Sequence, residues 1–454
     1  MTITGKVFST LGSPVSLVPL ALKDCANGAG MTAASSVTSK DEGADRFIDE
    51  FGTEAIWLGG IPLFKKISDN TLFKAAKLDP KYDIRNFKNQ DIFQKTIEWA
   101  PSEKIKNDIK KIGENKKTFK NLNIAKFLLS TVLTLGTYNL MTDLKQKYTH
   151  GKIKKKLIKQ QEEQSISLMN NKGETSDKIK DLNFQNLSAL RNKKTDKNGE
   201  QSNNPNFTGI ADFMLNPVKN MYVLDAGITT ERLIKSRSPQ ELTGYTLKEG
   251  GFLFFMYYLG QKVQSHFEKT ADKKHNKSIA LDSKVIEDNN FKRMFSDKSI
   301  ERNLKDFSKI KTDTELYDFI NKNPDNAVIS AAKQSDIIST YKKPKKPYQI
   351  FKKAEDTGKI DTRKYINLDK VREVHSNISR LYNQYKTSNQ SSDEFFKDVR
   401  KLKRGSVMKN IGSTVFALGF VLPSIMLADR LLRSGNKEFA VEKKIKEQLE
   451  REKM

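Results

Sequence analysis

Residues Ile411 to Ala428, IGSTVFALGFVLPSIMLA, are eighteen consecutive uncharged positions. Lys401, Lys403, Arg404 and Lys409 precede them, and Arg430 and Arg433 follow. A helix needs about 20 mainly apolar residues to cross the hydrocarbon of a bilayer. With the flank from Val407 the stretch approaches that length. Pro423 inside it is tolerated in a membrane helix and costly in a soluble one. The segment therefore predicts a transmembrane helix over 407–428.

A second stretch behaves alike. Phe127 to Met141, FLLSTVLTLGTYNLM, holds fifteen residues without a charge, with Asn139 its one costly side chain. If Lys126 snorkels, the apolar part reaches back to Ile124, and the predicted span is 124–141. The two segments echo each other: Lys126, Ser130-Thr131-Val132 and Leu135-Gly136 match Lys409, Ser413-Thr414-Val415 and Leu418-Gly419 in spacing. A true repeat would make two equivalent helices, packed side by side with Gly136 and Gly419 permitting close approach. Basic residues flank both segments about equally on each side, so the positive-inside bias assigns no orientation.

Two further apolar elements are too short to span. Residues 55–64, AIWLGGIPLF, are closed by Lys65 and Lys66 and broken by Gly59, Gly60 and Pro62. They read as a buried turn, with a kinked interfacial or re-entrant element as the alternative. Residues 250–260, GGFLFFMYYLG, are dense in aromatics and lie within a helix expected over 248–268.

The remainder is polar. The chain of 454 residues carries 81 Lys+Arg against 55 Asp+Glu, a formal charge of +26, with a single Cys. One Cys excludes an internal disulfide framework. The positive charge rests on Lys rather than Arg, in company with many Asn, a bias that an AT-rich genome writes onto any solvated surface. Nucleic acid is not the expected partner, because base and phosphate recognition favours Arg and no nucleic-acid module is visible. A phospholipid membrane is, with anionic lipid at the Lys152–Lys159 cluster that follows the first span. A protein partner or a second copy of the chain is the other expectation.

The organisation that follows is mainly α: a helical membrane-associated protein with about two transmembrane helices and helical soluble regions. Residues 1–41 read as an unstructured leader, and 42–123 as a helical region containing 55–64. The candidate span 124–141 is followed over 142–206 by a Lys-rich helix and a linker of disordered composition. A helical region occupies 207–269, a soluble helical region 270–406, the second candidate span 407–428, and a charged tail helix 429–454. In the amphipathic helix near 42–52, Ala44, Phe47, Ile48 and Phe51 form the expected packed face. Asp45, Arg46, Asp49 and Glu50 form the expected wet one.

Catalytic, cofactor-binding and metal residues are not assigned. His150, His266, His275 and His375 are far apart and read as surface positions, none at ligand spacing with another or with Cys25. No nucleophile elbow, P-loop or dinucleotide fingerprint is present. Glu249, just before the aromatic run, is the one acid placed to enter an apolar environment, where it also suits a helix N-terminus. Three functional readings remain: a membrane-anchored structural or scaffolding protein; a membrane-associated enzyme or transporter-like oligomer; and a soluble helical protein with buried apolar helices. The second requires Glu249, Asp49 or Arg232 to converge in a pocket.

Overall fold

The computed structural model describes residues 3–12, 16–87, 89–170, 217–236, 239–343, 355–434 and 440–451. Of the Lys-rich helix and linker read over 142–206, residues 171–206 lie outside the described residues. The fold is mainly helical, and among the described residues two helices are long and apolar enough to cross a membrane, over 116–163 and 392–429.

The first part of the chain departs from its reading as an unstructured leader. It forms α1 (Ile3–Leu11) and α2 (Val18–Thr38). Gly28 and Gly30 depress helix propensity, but they let α2 lie directly on its neighbours. A Cβ at Gly30 would come within 2.7 Å of Pro423 Cγ, and one at Gly28 within 3.2 Å of Glu50 Cβ. Tertiary packing overrides composition here. Helix α3 (Lys40–Ser68) then runs unbroken through Gly59, Gly60 and Pro62, and a π-helical turn over Asp69–Phe73 continues it. The stretch expected to turn at 55–64 is thus interior to a long helix. Gly60 abuts Thr134, and Trp57 and Ile61 are buried.

After α4 (Gln90–Glu98) and α5 (Glu103–Glu114), α6 (Lys116–Asn170) carries the first candidate span. It lies antiparallel to α3. Asp69 pairs with Lys126 at one end, Gly60 meets Thr134 in the middle, and Thr149 reaches Asp45 at the other. Helix α7 (Pro217–Ile234) precedes α8 (Pro239–Leu253), which continues through a π turn at Phe254–Leu259 into α9 (Gly260–His275). The aromatic element 250–260 is thus internal to one continuous rod.

A helical head follows. Helices α10 (Ser283–Ile286), α11 (Asn289–Ser296), α12 (Ser299–Phe307), α13 (Asp313–Lys322) and α14 (Ala327–Gln334) lead to a two-stranded antiparallel hairpin, β1 (Thr340–Lys342) with β2 (Asp356–Ile360). Helix α15 (Leu368–Lys386) completes it. Its core is aromatic, with Phe295 stacked edge-on against Phe396 at 4.9 Å. Residues 69–123 join the head through their own cluster around Phe73, Ile109 and Phe119, and through the backbone N–H of Asp83, which donates to the Arg363 carbonyl at 2.7 Å. His375 is half-buried and packs against this core. It stacks on Phe307 at 5.1 Å, with Nε2 3.2 Å from the Leu304 carbonyl.

Helix α16 (Ser392–Phe416) starts in the head with a reciprocal Ser391–Glu394 capping box. It passes through a π turn at Ala417–Val421 into α17 (Leu422–Ser434). Pro423 has no N–H to offer the carbonyl of Gly419 four residues back, and the π turn falls where that register is lost. Helix α2 packs on this turn, with Gly419 3.1 Å short of the Ala26 carbonyl for any added Cβ. The tail helix α18 (Ala440–Arg451) docks on the far end of α6 through Ile445 and Leu449 against Ile153 and Leu157. The two apolar segments do not use their glycines alike. Gly419 meets α2, whereas a Cβ at Gly136 would meet nothing within 4 Å.

Substitution of Gly30 by Leu is expected to lower the unfolding temperature of the detergent-purified chain, since overpacking costs about 1–3 kcal/mol. Gly136→Leu is the internal control and is expected to leave it unchanged. Equal melting of both variants would contradict the α2–α17 contact.

The head also carries a pH dependence. Burial lowers the His375 pKa from its ordinary 6.5, so the folded state favours neutral imidazole. The unfolded chain takes up the proton first. The stabilisation is therefore complete above pH 6.5 and is lost as the pH falls through the folded value. Urea midpoints measured on either side of that pH should diverge less in His375→Gln than in the wild type.

Candidate functional site

Helix α3 is amphipathic as its sequence predicts, but inside out. Asp45, Arg46, Asp49 and Glu50 are buried, with Asp49 only 1% exposed, while Phe47 and Ile48 are exposed at 52% and 38%. The face expected to be wet is packed, and the face expected to be packed is open. Periodicity reveals that two faces exist; it does not say which one meets the surroundings.

The buried face meets α6, α7 and α8, and each contributes a cation. Lys145 of α6 lies 3.0 Å from Asp49 and 3.7 Å from Asp45. Thr149 donates to Asp45 at 2.6 Å. Arg232 of α7 reaches Asp49 at 3.4 Å, donates to Thr53 Oγ1 and to the Tyr138 hydroxyl at 2.9 and 2.8 Å, and pairs with Glu249. Lys248 of α8 binds Glu50 at 2.8 Å and Glu249 at 2.9 Å. Arg46 stays on its own helix, 3.6 Å from both Asp49 and Glu50, with its guanidinium 5.0 Å from the Tyr245 ring centre. Four carboxylates, Asp45, Asp49, Glu50 and Glu249, thus face four cations, Arg46, Lys145, Arg232 and Lys248. The Asp49 oxygens accept no hydrogen bond from a neighbouring side chain, so charge alone holds that carboxylate among Lys145, Arg46 and Arg232.

Glu249, Asp49 and Arg232 therefore do converge. The sequence pointed at these three only as a requirement, and it missed Lys145, hidden in a Lys-rich stretch, and Lys248, a lone Lys that no local pattern marks as buried. It also missed Asp24 and Asp225. These lie beside the balanced network, in a cavity of about 20 Å³ also lined by Asn27, Glu50, Trp57, Lys248 and Glu249. That volume admits about one water molecule. Tyr257 donates its hydroxyl to Asp225, and Cys25 donates to Glu54 at 2.8 Å.

The surroundings of the network are apolar on the outside. Leu128, Leu129, Val132, Leu133, Leu140 and Leu144 of α6 are exposed, as are Leu58, Leu63 and Ile67 of α3 and Met408, Phe416, Phe420 and Ile425 of α16–α17. At about 1.5 Å per residue, Leu128 to Leu144 covers about 24 Å and Met408 to Ile425 about 26 Å, close to the thickness of a hydrocarbon core. In the most apolar eighteen-residue windows of the two long helices only 17% and 33% of the residues are buried. Apolar core helices of a soluble fold would be mostly enclosed. Gly251, two residues beyond Glu249, abuts Leu422, which sets the charged layer at the depth of the apolar segment 411–428.

The Lys152–Lys159 cluster lies past this belt on α6. Lys152 and Lys156 contact Asp41 at 3.2 and 2.7 Å, and Lys159 is paired with Glu163 at 3.8 Å. A larger concavity, about 640 Å³, sits in the head where the N-termini of α4, α13 and α15 meet. Its helix-end donors are already engaged by Asn89, Thr312 and Asn367 as caps. Among the described residues no group of three or more His, Cys, Asp or Glu side chains is arranged to hold a metal ion. No protein-family model, curated protein or solved structure matches the chain.

Removing one partner from a buried network strands the other, at a cost of about 3–5 kcal/mol, whereas replacing both by apolar groups is often neutral. Arg232→Met alone is therefore expected to destabilise the protein by about that amount. The Arg232→Met/Glu249→Leu double variant should recover a large part of the loss. Additive losses on chemical denaturation would show that the two side chains do not interact.

Proposed function

We propose that this chain is an integral membrane protein whose helix bundle handles protons or small inorganic ions, a transporter-like role centred on the Arg232–Asp49–Glu249 network. The observation that carries this reading is the inversion of α3, which buries six charged side chains, Glu42 and Glu54 as well as Asp45, Arg46, Asp49 and Glu50, and opens its apolar side outward. In water such an arrangement forfeits hydration of the charges and exposes hydrocarbon for no return. In lipid both costs change sign, because apolar side chains solvate well and charges must turn inward and pair.

Ionisable groups inside a membrane bundle mark ion pathways and proton relays by default. Two helices cannot enclose such a path. Here α2, α3, α7 and the α8–α9 rod pack beside the two long apolar helices, so one chain supplies the enclosure without oligomerisation. The water-sized cavity argues for a proton or a bare ion rather than an organic solute. The Lys152–Lys159 cluster at the end of α6 suits an anionic headgroup layer.

A second reading, a membrane-anchored scaffold, is favoured by the closure of the network. Fully paired charges also lock helix register, and the head offers its broad cleft to a partner.

Extraction and flux separate these readings. The native protein is expected to stay with membranes through carbonate and to leave only with detergent. Reconstituted in liposomes, it should collapse an imposed pH gradient several-fold faster than empty vesicles, and Glu249→Gln should abolish that difference. Retention without flux would leave the scaffold. Release by carbonate would overturn both in favour of a soluble bundle.

A further inference from the structure

The charged layer balances except at one end. Asp24 of α2 and Asp225 of α7 line the same water-sized cavity, and among the described residues neither has a Lys, Arg or His within ion-pair distance. The groups facing Asp24 are Glu50 and Glu54 from α3, Asp225 from α7 and Lys248 from α8. Those facing Asp225 are Arg232 on its own helix, Lys248 and Glu249 from α8, and Tyr257 from the π turn, whose hydroxyl it accepts. Both nearby cations are already engaged: Arg232 by Asp49 and Glu249, Lys248 by Glu50 and Glu249. Two like charges lining one desolvated cavity repel, an arrangement that favours a proton on one of them.

A second observation points to what sits between them. Asn27, one helical turn beyond Asp24, also lines the cavity, is 1% exposed, and has neither its amide nitrogen nor its amide oxygen partnered. An unpaired buried amide is costly. A water satisfies it from both sides, accepting from Nδ2 and donating to Oδ1, while a metal cation would serve only the oxygen. The cavity has room for one such water.

We propose that Asp24 and Asp225 form a proton-binding site that stores one proton, bridged by a water held on Asn27. Hydronium delivers the proton to the carboxylate pair and leaves as water; release reverses the step. Asp225 is buried, whereas Asp24 keeps partial exposure. This builds on the reading of the bundle as an ion-handling membrane core, and names its ligand.

The test is infrared difference spectroscopy of the full-length protein in detergent or nanodiscs, titrated in pH, with circular dichroism on the same samples to confirm folding. A protonated-carboxyl band is expected to persist at neutral pH and to be lost in Asp225→Asn and in Asp24→Asn. Asn27→Leu, which removes the water's partner, should shift it. The sodium and potassium salts are compared at fixed pH. Absence of the band in folded wild type, its survival in both Asp→Asn variants, or its displacement by either salt would overturn the proposal; the last would mark a cation site instead. The band reports protonation alone, so its loss is distinct from failure of the membrane reading, which extraction and flux report.

Discussion

Everything in this fold depends on keeping the ion pairs of α3 away from water. Asp49 sits among three cations and accepts no side-chain hydrogen bond. Its charge is tolerable only because Lys145 of α6 and Arg232 of α7 join Arg46 of its own helix around it. That requirement sets the register of α3 against α6 and α7, and through Glu249 the position of the α8–α9 rod. The small residues of α2 then let it close the remaining side, with Gly28 against Glu50 and Gly30 against the Pro423 turn. Buried pairs seldom add net stability over apolar packing. They make the cost of any other register high, which is how a bundle with apolar surfaces inside and out acquires one arrangement.

The outward face follows from the inward one. A helix that turns its charges inward must present its other side, and that side carries Phe47, Ile48, Leu58 and Leu63. The same division recurs on α6, where Lys145 and Thr149 are buried while Leu140 and Leu144 are open. The head follows the opposite rule, with Phe295, Phe395 and Phe396 fully enclosed and most of its charges at the surface, Glu287, Asp361 and Lys403 being buried.

The sequence was legible where one property decides the outcome. The mainly helical class and the two long apolar segments follow from length, hydropathy and the lack of alternation, and both are present in the fold. It was illegible where the sign of a pattern depends on the surroundings. The period of α3 is readable at Phe47 and Asp49, yet only the neighbouring helices reveal that Asp49 faces in. Pro62 and Gly60 suggested a break because local rules weigh them alone; against Thr134 they sit inside an uninterrupted helix. Asp24 and Asn27 lie in a stretch whose Ala, Gly and Ser content argues for no structure at all. They meet Asp225 only in the folded chain, as lining of one small cavity.

The claim beneath all of this is that the exposed apolar faces meet lipid. Spin labels introduced at Leu58→Cys, Leu128→Cys and Phe420→Cys in a Cys25→Ser background, with the chain reconstituted in bilayers, measure this directly through their collision rates with oxygen and with a water-soluble nickel complex. The account predicts high oxygen and low nickel accessibility at all three sites, and the reverse at a label on exposed Lys305 of the head. High nickel accessibility at Leu58, Leu128 and Phe420 would place those faces in water and contradict it.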